Sequence, residues 1–219
     1  MDLIIATRNP DKAREVKSIL LEFGIQARSL EDVDPEGRIP RIRETGSTLR
    51  ENALIKARTV HAATGKPVIA DDTGLEVDAL NGAPGVHSAR YAGEGSTYDD
   101  NINKLLDALK NVPSEKRTAR FRTVACFVDG APKPSGETEL WAEGVVEGVI
   151  RTGREGIGGF GYDPVFMIPG TGKTYAQLSD RGKNRLSHRG QALRKLVAII
   201  SRDSIPTDPS STQSIRRSG

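Results

Sequence analysis

The chain has one cysteine, Cys126, in 219 residues. A single thiol excludes an intramolecular disulfide and any zinc site built from several cysteines, and it fits a reducing compartment. Cys126 lies in an apolar stretch, where a buried inert thiol is expected rather than a nucleophile. Aromatic residues make up only 5%, too few for a platform on which single-stranded bases stack. Charge of one sign is also lacking. The formal balance is +3, and the lysines and arginines are scattered, so no nucleic-acid partner is expected. A few basic residues facing one small phosphorylated ligand account for that balance equally well. No apolar run reaches the length of a membrane span, and no basic segment followed by an apolar run opens the chain. No membrane partner is expected, and the cytoplasm is the expected compartment.

What is present reads as α/β. Strands and helices alternate from Met1 to about Arg202 without a long linker, so residues 1–202 are expected to form a single domain that needs no disulfide or structural metal. Residues 203–219 hold two prolines, five serines and two large apolar residues, and a disordered tail is expected there. Early units suggest parallel strands: Leu3-Ile4-Ile5-Ala6, then a helix with Val16, Ile19, Leu20 and Phe23 at helical spacing, ended by Gly24. A second helix starts at Thr48, which has capping-box spacing to Glu51, and runs to Gly65. The strand Pro67 to Ala70 delivers Asp71-Asp72-Thr73-Gly74. A third helix runs from about Thr97 to before Pro113. Phe121–Val128 and Glu139–Ile150 read as an antiparallel pair, giving a mixed sheet. A short strand, Val165 to Ile168, follows, and the last helix is expected to start at Ser187.

The first turn, Thr7-Arg8-Asn9-Pro10-Asp11-Lys12, joins a strand to a helix. Asn9 suits the N-cap and Pro10 the first helical position. Free N–H groups there, with Thr7, Arg8, Asn9 and Lys12, offer what a phosphate needs; an ordinary strand-to-helix corner explains the same residues. Asp71-Asp72, expected where a buried strand ends, form a repelling pair that a hard cation such as Mg²⁺ relieves. A turn acid beside a capping acid is the other reading. Glu44, before the second helix, offers another carboxylate, and Lys56 follows Asn52 by one turn and shares its face. Ser187-His188-Arg189 place two potential cations at a helix start, against the macrodipole; an anionic or carbonyl-bearing ligand supplies a reason, and a plain surface histidine is the alternative. Phe160-Gly161-Tyr162-Asp163 offer aromatic faces and a carboxylate, or else plug the core. His61 reads as structural, and His87 shows no clear role. Two glycine motifs are rejected. Gly156 to Gly161 match G-x-G-x-x-G but open no helix, and Gly172-Lys173-Thr174 lack the first P-loop glycine.

These segments, taken together in order, resemble the inosine triphosphate pyrophosphatases, which hydrolyse non-standard purine nucleoside triphosphates such as ITP, dITP and XTP. The resemblance covers Leu3 to about Ile200. It rests on Thr7 to Lys12, Glu44-Thr45-Gly46, Glu51-Asn52-Ala53 with Lys56, Ala70 to Gly74, Gly82 to Gly85 with Ser88 to Tyr91, Gly159 to Pro164, and Ser187 to Gly190. It implies an elongated mixed sheet flanked by helices, two lobes with the nucleotide in the cleft between them, Mg²⁺ as cofactor, and a homodimer. By position, Asp72 resembles the general base and a metal ligand, and Glu44 a second ligand. Thr7 to Lys12, Lys56 and Thr73 resemble the triphosphate grip. Phe160, Gly161, Tyr162, Asp163, Lys183, His188 and Arg189 resemble the base and sugar site. Gly182 stands where relatives often have an acid, and Leu186 where isoleucine is usual.

Overall fold

The computed structural model describes residues 2–131 and 139–203. Of the tail expected over residues 203–219, Asp203 ends the last helix and residues 204–219 lie outside those described, as does the Pro/Ser/Gly stretch before Gly136.

Among the described residues, eight strands form one mixed sheet. They are β1 (Leu3–Ile5), β2 (Ala27–Ser29), β3 (Val68–Val77), β4 (Pro84–Gly85), β5 (Thr118–Val128), β6 (Glu139–Ile150), β7 (Phe166–Ile168) and β8 (Lys173–Thr174). Their order is β2-β1-β3-β5-β6-β7-β8, with β4 pairing β3 off this path. β1 runs parallel to β2 and β3, and the remaining pairs are antiparallel. Six α-helices among the described residues pack around the sheet: α1 (Pro10–Leu21), α2 (Leu30–Val33), α3 (Leu49–Thr64), α4 (Tyr98–Ala108), α5 (Asp180–Leu186) and α6 (His188–Asp203).

Alternation along β1 sets the layers, because successive side chains point to opposite faces. Leu3 and Ile5 pack with Val16, Ile19 and Leu20 of α1 and with Leu193 and Leu196 of α6. Ile4 and Ala6 pack with Ala57 and Val60 of α3 on the other face. A second core gathers at the far end of the sheet, where Ile102 and Leu105 of α4 meet Val77, Phe121, Ile150 and Phe166.

Helix ends follow the sequence signals. Asn9 caps α1 with Pro10 in its first turn, and Thr48 and Glu51 close a capping box on α3. Gly65 ends α3 at a left-handed φ of 64°, which glycine adopts without strain. The antiparallel β5–β6 pair forms as expected. One expectation fails. The strand reaching Asp71-Asp72 does not end there; β3 continues to Val77 because β5 pairs with its whole length. The last helix begins where expected, with Ser187 extended (φ −71°, ψ 153°) just before α6, and the sequence reading left out the short α5 that precedes it.

Candidate active site

The site lies at a gap in the sheet. One edge of β3 is fully paired with β5. The other edge pairs with β1 at Val68 and Ile69 and with β4 at Leu75 and Glu76. Among the described residues, no strand covers that edge from Ala70 to Gly74. The crevice therefore opens beyond the carboxyl end of β1, where open α/β sheets place ligands.

Mid-strand placement corrects the reading of Asp71-Asp72 as a mutually repelling pair. Neighbours on a strand face opposite sides, and each acid has its own cations. Asp71 faces α1 and α6: its Oδ2 lies 3.1 Å from Arg189 Nε and 3.6 Å from Lys12 Nζ. Burial favours its neutral form, but Lys12, Arg189 and Lys56 outweigh this and hold the carboxyl well below the ordinary 3.8. Asp72 faces α3, where Lys56 Nζ donates to Asp72 Oδ1 and to Glu44 Oε1, both at 2.8 Å. Burial pushes Asp72 above 3.8 in spite of Lys56 and Lys12. Burial also opposes the charge on Lys56, yet Asp72, Glu44 and Asp71 raise it to about 12.

Asp72 Oδ2 is buried and has no hydrogen-bond partner. That orphaned oxygen, beside Glu44, fits a hard cation. Among the described residues, no group of three or more His, Cys, Asp or Glu side chains gathers as a metal cage. Mg²⁺ needs none, since it is commonly held by one or two carboxylates, waters and substrate phosphates.

The first turn contributes less than its sequence offers. Asn9 Oδ1 accepts from the N–H groups of Asp11 and Lys12, at 3.0 and 3.2 Å, so these donors of α1 are already occupied. Asn9 Nδ2 donates to Tyr98 Oη at 2.7 Å. Thr7 Oγ1 accepts from Asn9 N at 3.1 Å. Arg8 is held by Asp34 at 2.5 Å. Asp11 pairs with Arg14, and Pro10 serves the helix start. Thr7, Arg8, Asn9, Lys12, Glu44 and Lys56 line a groove of about 630 Å³.

The groove shares Asn9, Lys12 and Ala89 with a smaller cavity of about 90 Å³, lined by Tyr98, Phe160, Gly161, Tyr162, His188 and Arg189 among others. Here the cations that were expected to await a ligand have internal partners. Arg189 pairs with Glu15 as well as Asp71, and Lys183 pairs with Asp163 and, at 2.5 Å, with Glu15. Burial disfavours the Glu15 carboxylate, but Arg189 and Lys183 hold its carboxyl below the ordinary 4.5. Burial, reinforced by Arg189 and Lys183, keeps His188 neutral, well below 6.5. Asp163 Oδ2 also accepts from Phe160 N at 2.8 Å, and Lys183 Nζ lies 4.4 Å from the Phe160 ring centre. Gly159 has φ +72°, and a β-carbon there would lie 2.1 Å from Asp163 Oδ2, so glycine is required for this closure. Tyr162 donates to Ser88 O at 2.9 Å. Tyr98 and Phe160 face one another at 5.9 Å across the cavity.

The structure thus brings together Lys12, Glu44, Lys56, Asp71 and Asp72 at the gap, and Phe160 to Asp163, Lys183, His188 and Arg189 beside it. Sequence reading missed Glu15, whose only signal is an acid one turn before Ile19 on the inward stripe of α1. It missed Thr123, which sits in an apolar strand. Arg90, 3.6 Å from Glu44 Oε2, stood within a motif but without a role.

Comparison with known proteins agrees over nearly the whole chain. The chain is 50% identical over 200 residues to a dITP/XTP pyrophosphatase of Methylococcus capsulatus, covering 90% of this chain and 95% of that protein. It is 48% identical over 199 residues to a dITP/XTP pyrophosphatase of Caldanaerobacter subterraneus, covering 90% and 95%. A HAM1 protein from Coxiella burnetii superposes with a TM-score of 0.78 at 39% identity, covering 92% of this chain and 99% of that one. The Staphylococcus aureus Ham1 protein gives 0.76 at 40%, with the same coverage. The model of the Ham1 family matches residues 3–199, and the chain belongs to that family.

Proposed function

We propose that this chain hydrolyses purine nucleoside triphosphates carrying a 6-oxo base (dITP, XTP and ITP) to the nucleoside monophosphate and pyrophosphate. Similarity to dITP/XTP pyrophosphatases supports the substrate class. The observation that carries the chemistry is the buried, unpartnered Asp72 Oδ2 at the open edge of β3. A carboxylate there is placed to orient a water molecule and take its proton as the water oxygen bonds to the α-phosphorus. The α-phosphorus then parts from the bridging oxygen, and pyrophosphate leaves. Lys12 and Lys56 offset negative charge on the phosphates, because phosphoryl transfer is governed by positioning and charge neutralisation. Asp72 and Glu44 are the residues that would hold Mg²⁺, which when bound supplies Lewis-acid stabilisation of the phosphate oxygens. Asp71, kept ionised by Arg189 and Lys12, fixes the potential on the opposite face of the strand.

In this reading Phe160 stacks on the base, while His188 and Arg189 address its 6-oxo edge. Thr73 and Asp163 complete the grip and the pocket. A buried donor facing that edge is satisfied by a carbonyl and left unpaired by an amino group, and such sites discriminate by about four orders of magnitude. The same reading takes residues 1–202 as one domain and the working form as a cytoplasmic homodimer that cleanses the nucleotide pool.

One assay tests the proposal. The protein is incubated with dITP, XTP, ITP, GTP or ATP, with and without Mg²⁺, and the products are identified. Monophosphate and pyrophosphate from the first three, only with the metal, are expected. Equal turnover of ATP and ITP, or orthophosphate as the first product, sinks it.

A further inference from the structure

Thr73 on β3, Thr123 on β5 and Gly144 on β6 stand side by side across the sheet. A β-carbon at Gly144 would lie 2.0 Å from the His188 carbonyl oxygen, so glycine is what lets the first turn of α6 settle on β6. The same approach brings His188 Nδ1 to 2.6 Å from Thr123 Oγ1. Thr123 Oγ1 in turn lies 2.6 Å from Thr73 Oγ1, and Arg189 Nη2 donates to Thr73 Oγ1 at 3.2 Å. A chain of polar atoms therefore runs from Arg189, through two hydroxyls, to the imidazole that lines the smaller cavity.

The proton positions in this chain follow from the distances. Each 2.6 Å separation holds one proton, since two bare lone pairs at that range repel. Thr73 Oγ1 can also donate to Asp71 Oδ2 at 3.2 Å, a contact longer than the ordinary O–H···O range of about 2.5–3.0 Å, and Thr123 Oγ1 at 2.6 Å is the closer acceptor. Its proton therefore goes to Thr123, and the Thr123 proton goes to His188 Nδ1. A neutral imidazole whose Nδ1 accepts carries its one proton on Nε2. Nε2 makes no hydrogen bond among the described residues, and it is the nitrogen left for a ligand.

We propose that Thr123 and Thr73 are positioning residues that lock His188 as the Nε2–H tautomer, so that the pocket presents a fixed donor to a 6-oxo purine. The polarity is set at Thr73, whose oxygen accepts from Arg189 while its proton goes to the closer Thr123, and the Asp71 and Glu15 carboxylates hold Arg189 in place. Base reading and the catalytic strand thereby share one hydrogen-bonded row. The reverse polarity would have Thr73 donating to Asp71 and would leave a bare Nε2 lone pair, which repels a carbonyl and welcomes a 6-amino group. The selectivity consequence rests on the proposed purine pyrophosphatase activity; the tautomer does not.

Nitrogen-15 NMR on protein with labelled histidine reads the tautomer. The three histidines are assigned with His61→Gln and His87→Gln variants. Wild type and Thr123→Ser are expected to show His188 protonated at Nε2 and bare at Nδ1. Thr123→Val is expected to lower the ratio of kcat/KM for dITP over dATP by about tenfold or more, through a higher KM for dITP with kcat little changed, while Thr123→Ser retains it. The proposal is overturned if wild type carries the proton on Nδ1, if folded Thr123→Val keeps its discrimination, or if Thr123→Ser loses as much as Thr123→Val. If Thr123→Val does not fold, the wild-type spectrum and Thr123→Ser decide. Absence of dITP hydrolysis by wild type defeats the proposed activity instead, and the spectrum still tests the relay without substrate.

Discussion

Replacing Lys56 with methionine keeps the length of the side chain and removes its charge. The ammonium sits 2.8 Å from both Asp72 and Glu44, and the Lys56 and Asp72 side chains are 9% and 7% exposed. The rise in the Lys56 pKa from 10.5 to about 12 corresponds to about 2 kcal/mol of net preference for the charged form in the fold. Methionine forfeits that and also leaves two carboxylates facing one another, and breaking a buried pair in this way costs about 3–5 kcal/mol. Glu44 is 25% exposed, so water screens its share and the lower end, about 3 kcal/mol, is expected. For a chain of this size that is a fall in Tm of roughly 6–12 °C. The sign with pH is fixed: the Lys56 contribution is complete below 10.5 and fades only as pH rises through about 12. Through the neutral range the loss is therefore flat, and at acid pH it shrinks as Asp72 and Glu44 take up protons. Scanning calorimetry with and without Mg²⁺ is the assay. The metal should raise the Tm of Lys56→Met more than that of wild type, because a dication between Asp72 and Glu44 replaces the missing charge. A variant that melts within about 2 °C of wild type at neutral pH, or that gains nothing extra from Mg²⁺, refutes the reasoning.

Three further outcomes follow. Asp72→Asn should lower kcat by about two to four orders of magnitude; full activity removes Asp72 as the base. Glu15→Gln should be destabilised by about 3 kcal/mol at neutral pH. The wild-type advantage should be complete above 4.5 and vanish as pH falls through the lowered Glu15 value, which denaturant melts at several pH values read directly. Cys126, fully buried and pushed up to about 12 by that burial, should resist alkylation in the native state and react only in denaturant, and Cys126→Ala should retain activity.

The fold and the site differed in how much the sequence revealed. Helix ends were legible because capping is local: Asn9-Pro10, Thr48 with Glu51, and Gly65 act within one turn of themselves. The β5–β6 pair was legible from its β-branched and aromatic run. The length of β3 was not, because Asp71-Asp72-Thr73-Gly74 is a turn by composition and becomes a strand only through ten residues of pairing with β5. The start of α6 after Ser187 was legible, but α5 was not, because its seven residues are too short a pattern to read as a helix. At the site, Asp72, Lys56 and Glu44 could be named together through the resemblance. Their arrangement, with one ammonium between two carboxylates, depends on contacts 12 and 16 residues apart that no local pattern encodes. Glu15 and Thr123 carry no local signature at all.

Continuing β3 past the end of β1 does what a strand ending at Asp71 would not. A turn would let both carboxylates swing toward one cation, and their charges would compete for it. A strand points Asp72 at Lys56 and Glu44 on the α3 side, and Asp71 and Thr73 at Arg189 on the α6 side. One acid is left with a buried free oxygen and a raised pKa, and the other is paired with Arg189 and Lys12 and kept ionised. Pairs of titratable groups pushed apart in this way have different roles: the first is suited to accept a proton and hold a metal, the second to anchor a hydrogen-bonded row. Moving either acid by one position would exchange their faces. An Asp71→Asn substitution should therefore weaken the Arg189 anchor and base selectivity while sparing the acid that faces Lys56, the reverse of Asp72→Asn. If both single variants lose turnover and selectivity in the same proportion, the two faces of β3 do not divide the work.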